Sequence, residues 1–359
     1  MNDPVADTST PDPVPLERKP TVLEVSPKAW LVVAVVVALV AVAVFFVDRS
    51  PSWGDNGFPT TSEDLDPRWL TRAGARDLVP ALTDPPLLGV EEAEALKLGR
   101  KAMLFATDRV LGVEHNGAAV CVPLRALNWH EVVNLTLGGD AVALTFSPLA
   151  DAPRAYLRGG AELRHSGLLY CSNPLLYDVG PTPSLWSQLD GRARSGPRRG
   201  EVLQEIPAEI AQWGDWTARY PETRCVRPPL EERGKFYQRN SYGPYLRSAE
   251  VRFPAPPAPP GVNPKARVVV VEAGGTTLAY PMERIVAGLA LDRAPQAGEP
   301  QAGRLTLEQG GQPVTFVVRL DASEADPHCV RVEAPARVVG EGLWFALAAF
   351  DPELELAPQ

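Results

Sequence analysis

One apolar run stands apart from the rest of the chain. Ala29 to Val47, AWLVVAVVVALVAVAVFFV, is 19 residues without a charge. At 1.5 Å rise per residue it spans roughly the ~30 Å hydrocarbon core of a bilayer, which predicts a single transmembrane helix. A cleaved signal peptide fits less well, since its core is usually ~7 to 15 residues and Ala41-Val42-Ala43 is buried inside the run. Downstream the pattern changes to short alternating stretches. VEEAEALKLGRKA, within Val90 to Ala106, predicts one short helix ended by Gly99. DRVLGVEHNGAAVCVPL predicts two strands joined at Asn116-Gly117, because a two-residue type I′ turn needs positive φ at both centres. DAVALTF, after Gly138-Gly139, reads as a further strand.

The same pattern returns late in the chain. ARVVVVEAGGTTLAYPMERI aligns without gaps on DRVLGVEHNGAAVCVPLRAL when Pro281 is set on Pro123, which also superposes Val271 on Val113, Glu272 on Glu114 and Gly275 on Gly117. LGGDAVALTF and QGGQPVTFVV correspond next, so a weak internal duplication is inferred. Between the copies lies PAPPAPPGVNP, a stiff Pro-rich connector. The expected fold is mainly β with short helices (α+β), as two β-rich units behind an N-terminal transmembrane helix. The expected organisation is a disordered tail (1–28), the membrane helix (29–47), a spacer (48–85), a main β-rich domain (86–253), the linker (254–264) and a smaller β-rich unit (265–359).

Composition narrows the partners. The 359 residues contain 38 prolines and 29 glycines, which favours turns and strands over long helices. A net charge of -9 without a Lys/Arg-rich run argues against a nucleic-acid partner. Arg18, Lys19 and Lys28 precede the apolar run and only Arg49 follows closely. By the positive-inside rule the N-terminus is cytoplasmic and the bulk of the chain periplasmic or extracellular. The expected partners are therefore the membrane, through 29–47, and an envelope protein or polysaccharide.

CVPLRALNWHEVVN, LRHSGLLYCSNPLLYD, PSLWSQLDGRARSGPRRGEVLQEIP and WGDWTARYPETR occur in that order between about residues 86 and 250. In order and spacing they resemble the bacterial and archaeal family called domain of unknown function 3179, whose name assigns no activity. The resemblance implies a strand ending in Cys-Pro-Leu-Cys, and with it thiol or selenol redox chemistry or soft-metal binding. Here the chain departs from the family, reading Ser147-Pro148-Leu149-Ala150. Neither side chain forms a thiolate near neutral pH, so the site reads as lapsed. A serine nucleophile would need an adjacent base, and no Gly-x-Ser-x-Gly is present. A second departure puts Leu135 where the family carries Asp after His130-Glu131-Val132-Val133-Asn134.

The catalytic candidates are His130, Glu131 and Asp178, imidazole and carboxylate being suited to proton transfer or metal ligation. For His130-Glu131, a hydrogen-bonded structural element beside Trp129 is favoured, and neighbours along a strand would face opposite sides. Asn134, Ser147, Trp186, Gln188, Trp213 and Trp216 are the candidates for a binding cleft, although large aromatics more often pack in cores. Arg192 to Gly200, RARSGPRRG, could meet an anionic lipid or polysaccharide, with a solvated turn as its default reading. Cys121, Cys171, Cys225 and Cys329 lack zinc-finger or Cys-x-x-Cys spacing and read as structural disulfides or buried thiols. His165 with Cys171 makes only two ligands, so no metal or cofactor is assigned. The reading is a non-catalytic binding or scaffold module, the alternative being a metal-dependent or redox-related enzyme using His130 and Glu131. The predicted orientation has a direct check. A reporter active only outside the cytoplasm, fused after Gln359, is expected to be active, and activity of a cytoplasm-only reporter there would contradict it.

Overall fold

In the computed structural model, Asn116 at φ 51° and Gly117 at φ 78° close a hairpin between Arg109–His115 and Ala118–Pro123. Positive φ at both centres gives the turn the twist of its flanking strands. The structure describes residues 55–99, 101–291, 301–320 and 329–358. The predicted tail and membrane helix (29–47) lie outside the described residues. Among those described, no helix is long and apolar enough to cross a membrane. The fold is mainly β with a few short helices, as expected for an α+β chain.

One arrangement occurs twice. After the first hairpin comes the helix Leu124–His130; the second hairpin, Arg267–Ala273 with Thr276–Pro281, leads into the helix Met282–Ala287. Both strands of each hairpin and the start of each helix are displaced by one constant interval along the chain. Each hairpin gains an antiparallel strand on one side, with Gln212 opposite Arg109 in the first and Leu343 opposite Arg267 in the second. A helix then starts at the next residue, Trp213–Arg219 or Trp344–Phe350. A short strand follows and pairs in parallel with the hairpin's second strand, Arg224 opposite Val120 and Glu355 opposite Leu278. Even the hairpin tips match: a Cβ on Gly138 would sit 2.4 Å from His115 O, and one on Gly274 would sit 2.4 Å from Gly310 O. Glycine is required where these turns cross.

The copies differ in what they carry besides. Between Asp140–Ser147 and Glu209–Gln212 the first copy inserts a sheet built on the hairpin Leu163–Tyr170 and Asn173–Asp178. Asn134 joins this sheet to the first copy, donating to Leu163 O at 2.9 Å and accepting from Leu163 N–H at 3.1 Å. The helix predicted within Val90 to Ala106 is shorter than expected. It spans Val90–Ala95, and Lys97–Leu98 and Lys101–Ala102 follow as a small hairpin. Gly99, at φ 67°, turns that hairpin instead of ending the helix. The connector 254–264 has no regular secondary structure, and Ala255, Ala258 and Val262 pack against a cluster shared by Ala150, Ala152, Val268 and Trp344.

A buried charge cluster sits where the copies meet. Arg109 and Arg267, equivalent in the two hairpins, both reach Asp151, which is 2% exposed; Arg109 Nη2 lies 3.4 Å from Asp151 Oδ1, and Arg267 makes the closer ion pair. Glu341, on the second copy, accepts the Ile210 N–H of the first at 2.9 Å. Leu343 N–H donates to Ala150 O at 2.7 Å across the same junction. Burial raises the Glu341 carboxyl from 4.5 to about 7, against the opposing pull of the Ile210 N–H and of Arg109 and Arg267. Between those values the folded protein holds a proton that the unfolded chain has released. Stability therefore falls as pH rises from 4.5 to about 7, then levels. Glu341→Gln, which can still accept from Ile210, is expected to remove this contribution. Urea unfolding of both proteins across that pH range checks it, and equal slopes would contradict it.

Candidate functional site

Ser147 ends its strand in a tight turn. The Ala150 N–H donates to Ser147 O at 3.2 Å, and Ser147 Oγ lies 3.3 Å from the same nitrogen. Both side chains are fully buried, so the hydroxyl serves the turn. Asp151 follows at φ 48°, a conformation that Asp tolerates better than most residues. Gln188 braces the base of this loop, donating to Thr145 Oγ1 at 3.0 Å and to Ala152 O at 3.2 Å. Asn173 Nδ2 in turn donates to Gln188 Oε1 at 3.2 Å.

The turn separates two cavities. Leu149 lines one, of about 260 Å³, together with Glu131, His165, Tyr242 and Arg252. Pro148 and Asp151 line the other, of about 280 Å³, which also holds Arg109 and Arg125.

His130 and Glu131 part company at the end of a helix, where the sequence pattern had placed them on a strand. His130 is the last residue of Leu124–His130, and Glu131 caps it at φ 57°. The His130 ring lies 2.8 Å from Pro80 O through Nδ1 and 2.7 Å from Tyr237 OH through Nε2. Glu131 faces the other way. Its Oε2 is 3.1 Å from His165 Nε2, and Tyr242 OH donates to its Oε1 at 3.4 Å. His165 Nδ1 accepts the Gly167 N–H at 2.8 Å, which leaves the ring proton on Nε2, and Glu131 Oε2, although 3.1 Å away, is buried without a hydrogen-bond partner. A bulge between His165 and Leu168 interrupts the strand ladder beside this ring. Burial, with Glu131 beside it, pushes the Tyr242 hydroxyl above its ordinary value. The Glu131–His165 pair was not legible as a pair, because the two residues meet only when the inserted hairpin folds over the first copy.

The other candidates lie elsewhere. Asp178 accepts the Ser184 N–H at 2.6 Å and lies 3.5 Å from Arg198, and it lines neither cavity. Trp186, Trp213 and Trp216 are all buried. Arg198 stacks over the Trp186 ring at 4.6 Å, and Trp216 covers Gly112, where a Cβ would come within 2.4 Å of its ring. In the basic loop Arg198 and Arg199 pair with Glu201 and Asp64, at 2.8 and 2.6 Å. All four cysteines are buried free thiols, with Cys121 opposite Cys225 on parallel strands. Cys171 sits in the tip of the inserted hairpin at φ 50°, while His165 is held by Gly167 and Glu131. Among the described residues no group of three or more His, Cys, Asp or Glu could hold a metal ion.

Residues 76–354 match a family described as a protein of unknown function, DUF3179. The chain belongs to this family. The DUF3179 match runs beyond the motifs between residues 86 and 250 and takes in the second hairpin and its helices. No curated protein and no solved structure matches the chain. Within DUF3179, this member carries at 147–150 a turn without a thiol, closed by its own backbone and set between two cavities.

Proposed function

We propose that this DUF3179 member is a membrane-anchored, extracytoplasmic binding or scaffold module, built on a duplicated β unit and lacking the thiol chemistry of its relatives. The apolar run 29–47 and the basic residues before it support the anchor and its orientation. Matching boundaries and registers in the two hairpins support the duplication, with 265–359 as the second unit. The observation that carries the binding reading is the turn itself. Ser147 is committed to the Ala150 N–H, Ala150 has nothing to offer, and cavities lie on both sides, the one beside Pro148 mainly polar. Its partner is an envelope protein or polysaccharide. Proton transfer by Glu131 is a second reading, favoured by the defined His165 tautomer and by Tyr242 within the same cavity.

Restoring the missing pair tests the first reading. A hydrogen-bonded turn keeps its first and fourth Cα within ~7 Å, a span that overlaps the ~4.4 to 6.8 Å range a disulfide needs. The double variant Ser147→Cys, Ala150→Cys is expected to gain one oxidisable dithiol over the wild type, read by thiol titration of the purified full chain. A folded double variant whose two new thiols stay unpaired under an excess of oxidised glutathione would overturn the lapsed-site reading.

A further inference from the structure

The cavity beside Pro148 is cationic. Its charged lining is Arg109, Arg125 and Arg239 against Asp108 and Asp151. Three arginines stand against two aspartates. Arg125 pairs with Asp108 at 2.6 Å, but the second carboxylate is shared, because Asp151 also receives Arg267 from the other copy. Arg109 thus shares Asp151 with a second guanidinium, with the buried Glu341 carboxyl as the further acid beside the two. Arg109 Nε is buried without a hydrogen-bond partner. Arg239 is exposed, and among the described residues its guanidinium makes no hydrogen bond or ion pair. Asn128 and Asn240 add side-chain amides to the same lining. At about 280 Å³ the cavity has room for a small molecule. Guanidinium donors, one buried without a partner and one exposed and unpaired, in a partly enclosed space are suited to recognition of planar or tetrahedral oxyanions.

We infer that this cavity binds a small oxyanion, a carboxylate or a phosphate group, between Arg109, Arg125 and Arg239. This rests on the binding-module reading and names a ligand class for it. Arg239 closes on the anion from the mouth, and Arg109 meets it from the floor, where Asp151 and Arg267 fix its position. The same site on the second copy is incomplete, because Arg267 is 9% exposed and spends its charge on Asp151.

The test uses the purified full chain in detergent at constant ionic strength, titrated by calorimetry with inorganic phosphate in one arm and citrate in the other. Saturable binding in either arm supports the site, and the stronger arm identifies phosphate or carboxylate as the source. Arg239→Ala, at an exposed position, is expected to leave the unfolding midpoint unchanged and weaken binding roughly tenfold, the effect of one charge-assisted contact. Arg125→Gln should weaken it comparably. Absence of saturable binding in both arms overturns the inference, as does binding that neither substitution changes. Failure here would leave the outcome of the restored cysteine pair untouched, so the two readings fail separately.

Discussion

Asp151 is the constraint on which the arrangement turns. Two arginines that hold the same place in two copies of one motif converge on a single buried carboxylate. A buried ion pair recovers its desolvation cost only when its geometry is good and its remaining groups are satisfied, so the backbone around Asp151 has to be fixed closely. The turn at 147–150 does this. It delivers Asp151 in the left-handed region, and Ala150 O is held by Leu343 N–H of the second copy. Gly342 follows from the same contact. A Cβ there would lie 3.0 Å from both Ala150 O and Ala152 Cβ.

Function and packing meet at this turn. Ser147 and Ala150, where the family resemblance leads one to expect thiols, are both sealed in the junction between copies. Two cavities flank the turn. The Glu131–His165 contact lies on one flank and the arginine-lined cavity on the other. Because Arg109 belongs at once to the Asp151 bridge and to the cavity, the bridge that joins the copies also positions the cation that faces a ligand. Glu341 adds a protonation equilibrium near neutral pH to the same junction.

Much of the β framework was legible in the sequence, for local reasons. Asn116-Gly117 and Gly138-Gly139 specify turns by their φ requirements, and the ungapped alignment of the two hairpins anticipates boundaries that match residue for residue. Long-range partners were not legible. Nothing local says that Glu131 meets His165 and not His130, since that depends on a helix ending in a left-handed residue and on a bulge in another sheet. The connector read as a stiff Pro-rich linker, and its small apolar residues, which carry no periodicity, gave no sign that Ala255, Ala258 and Val262 pack against a cluster. Convergence of Arg109 and Arg267 on Asp151 was equally hidden. A sequence repeat places two arginines alike without revealing that they share one acid.

The central claim is that Asp151 holds both copies through their equivalent arginines. A double-mutant cycle in urea unfolding, with Asp151→Asn, Arg267→Met and the two combined, tests it most directly. Asp151→Asn alone leaves two buried guanidiniums without their acid and should cost about 3 to 5 kcal/mol. Adding Arg267→Met should recover more than ~1 kcal/mol of that loss, as expected for residues in one network. Additive effects, or a cost below ~1 kcal/mol for Asp151→Asn, would contradict the account.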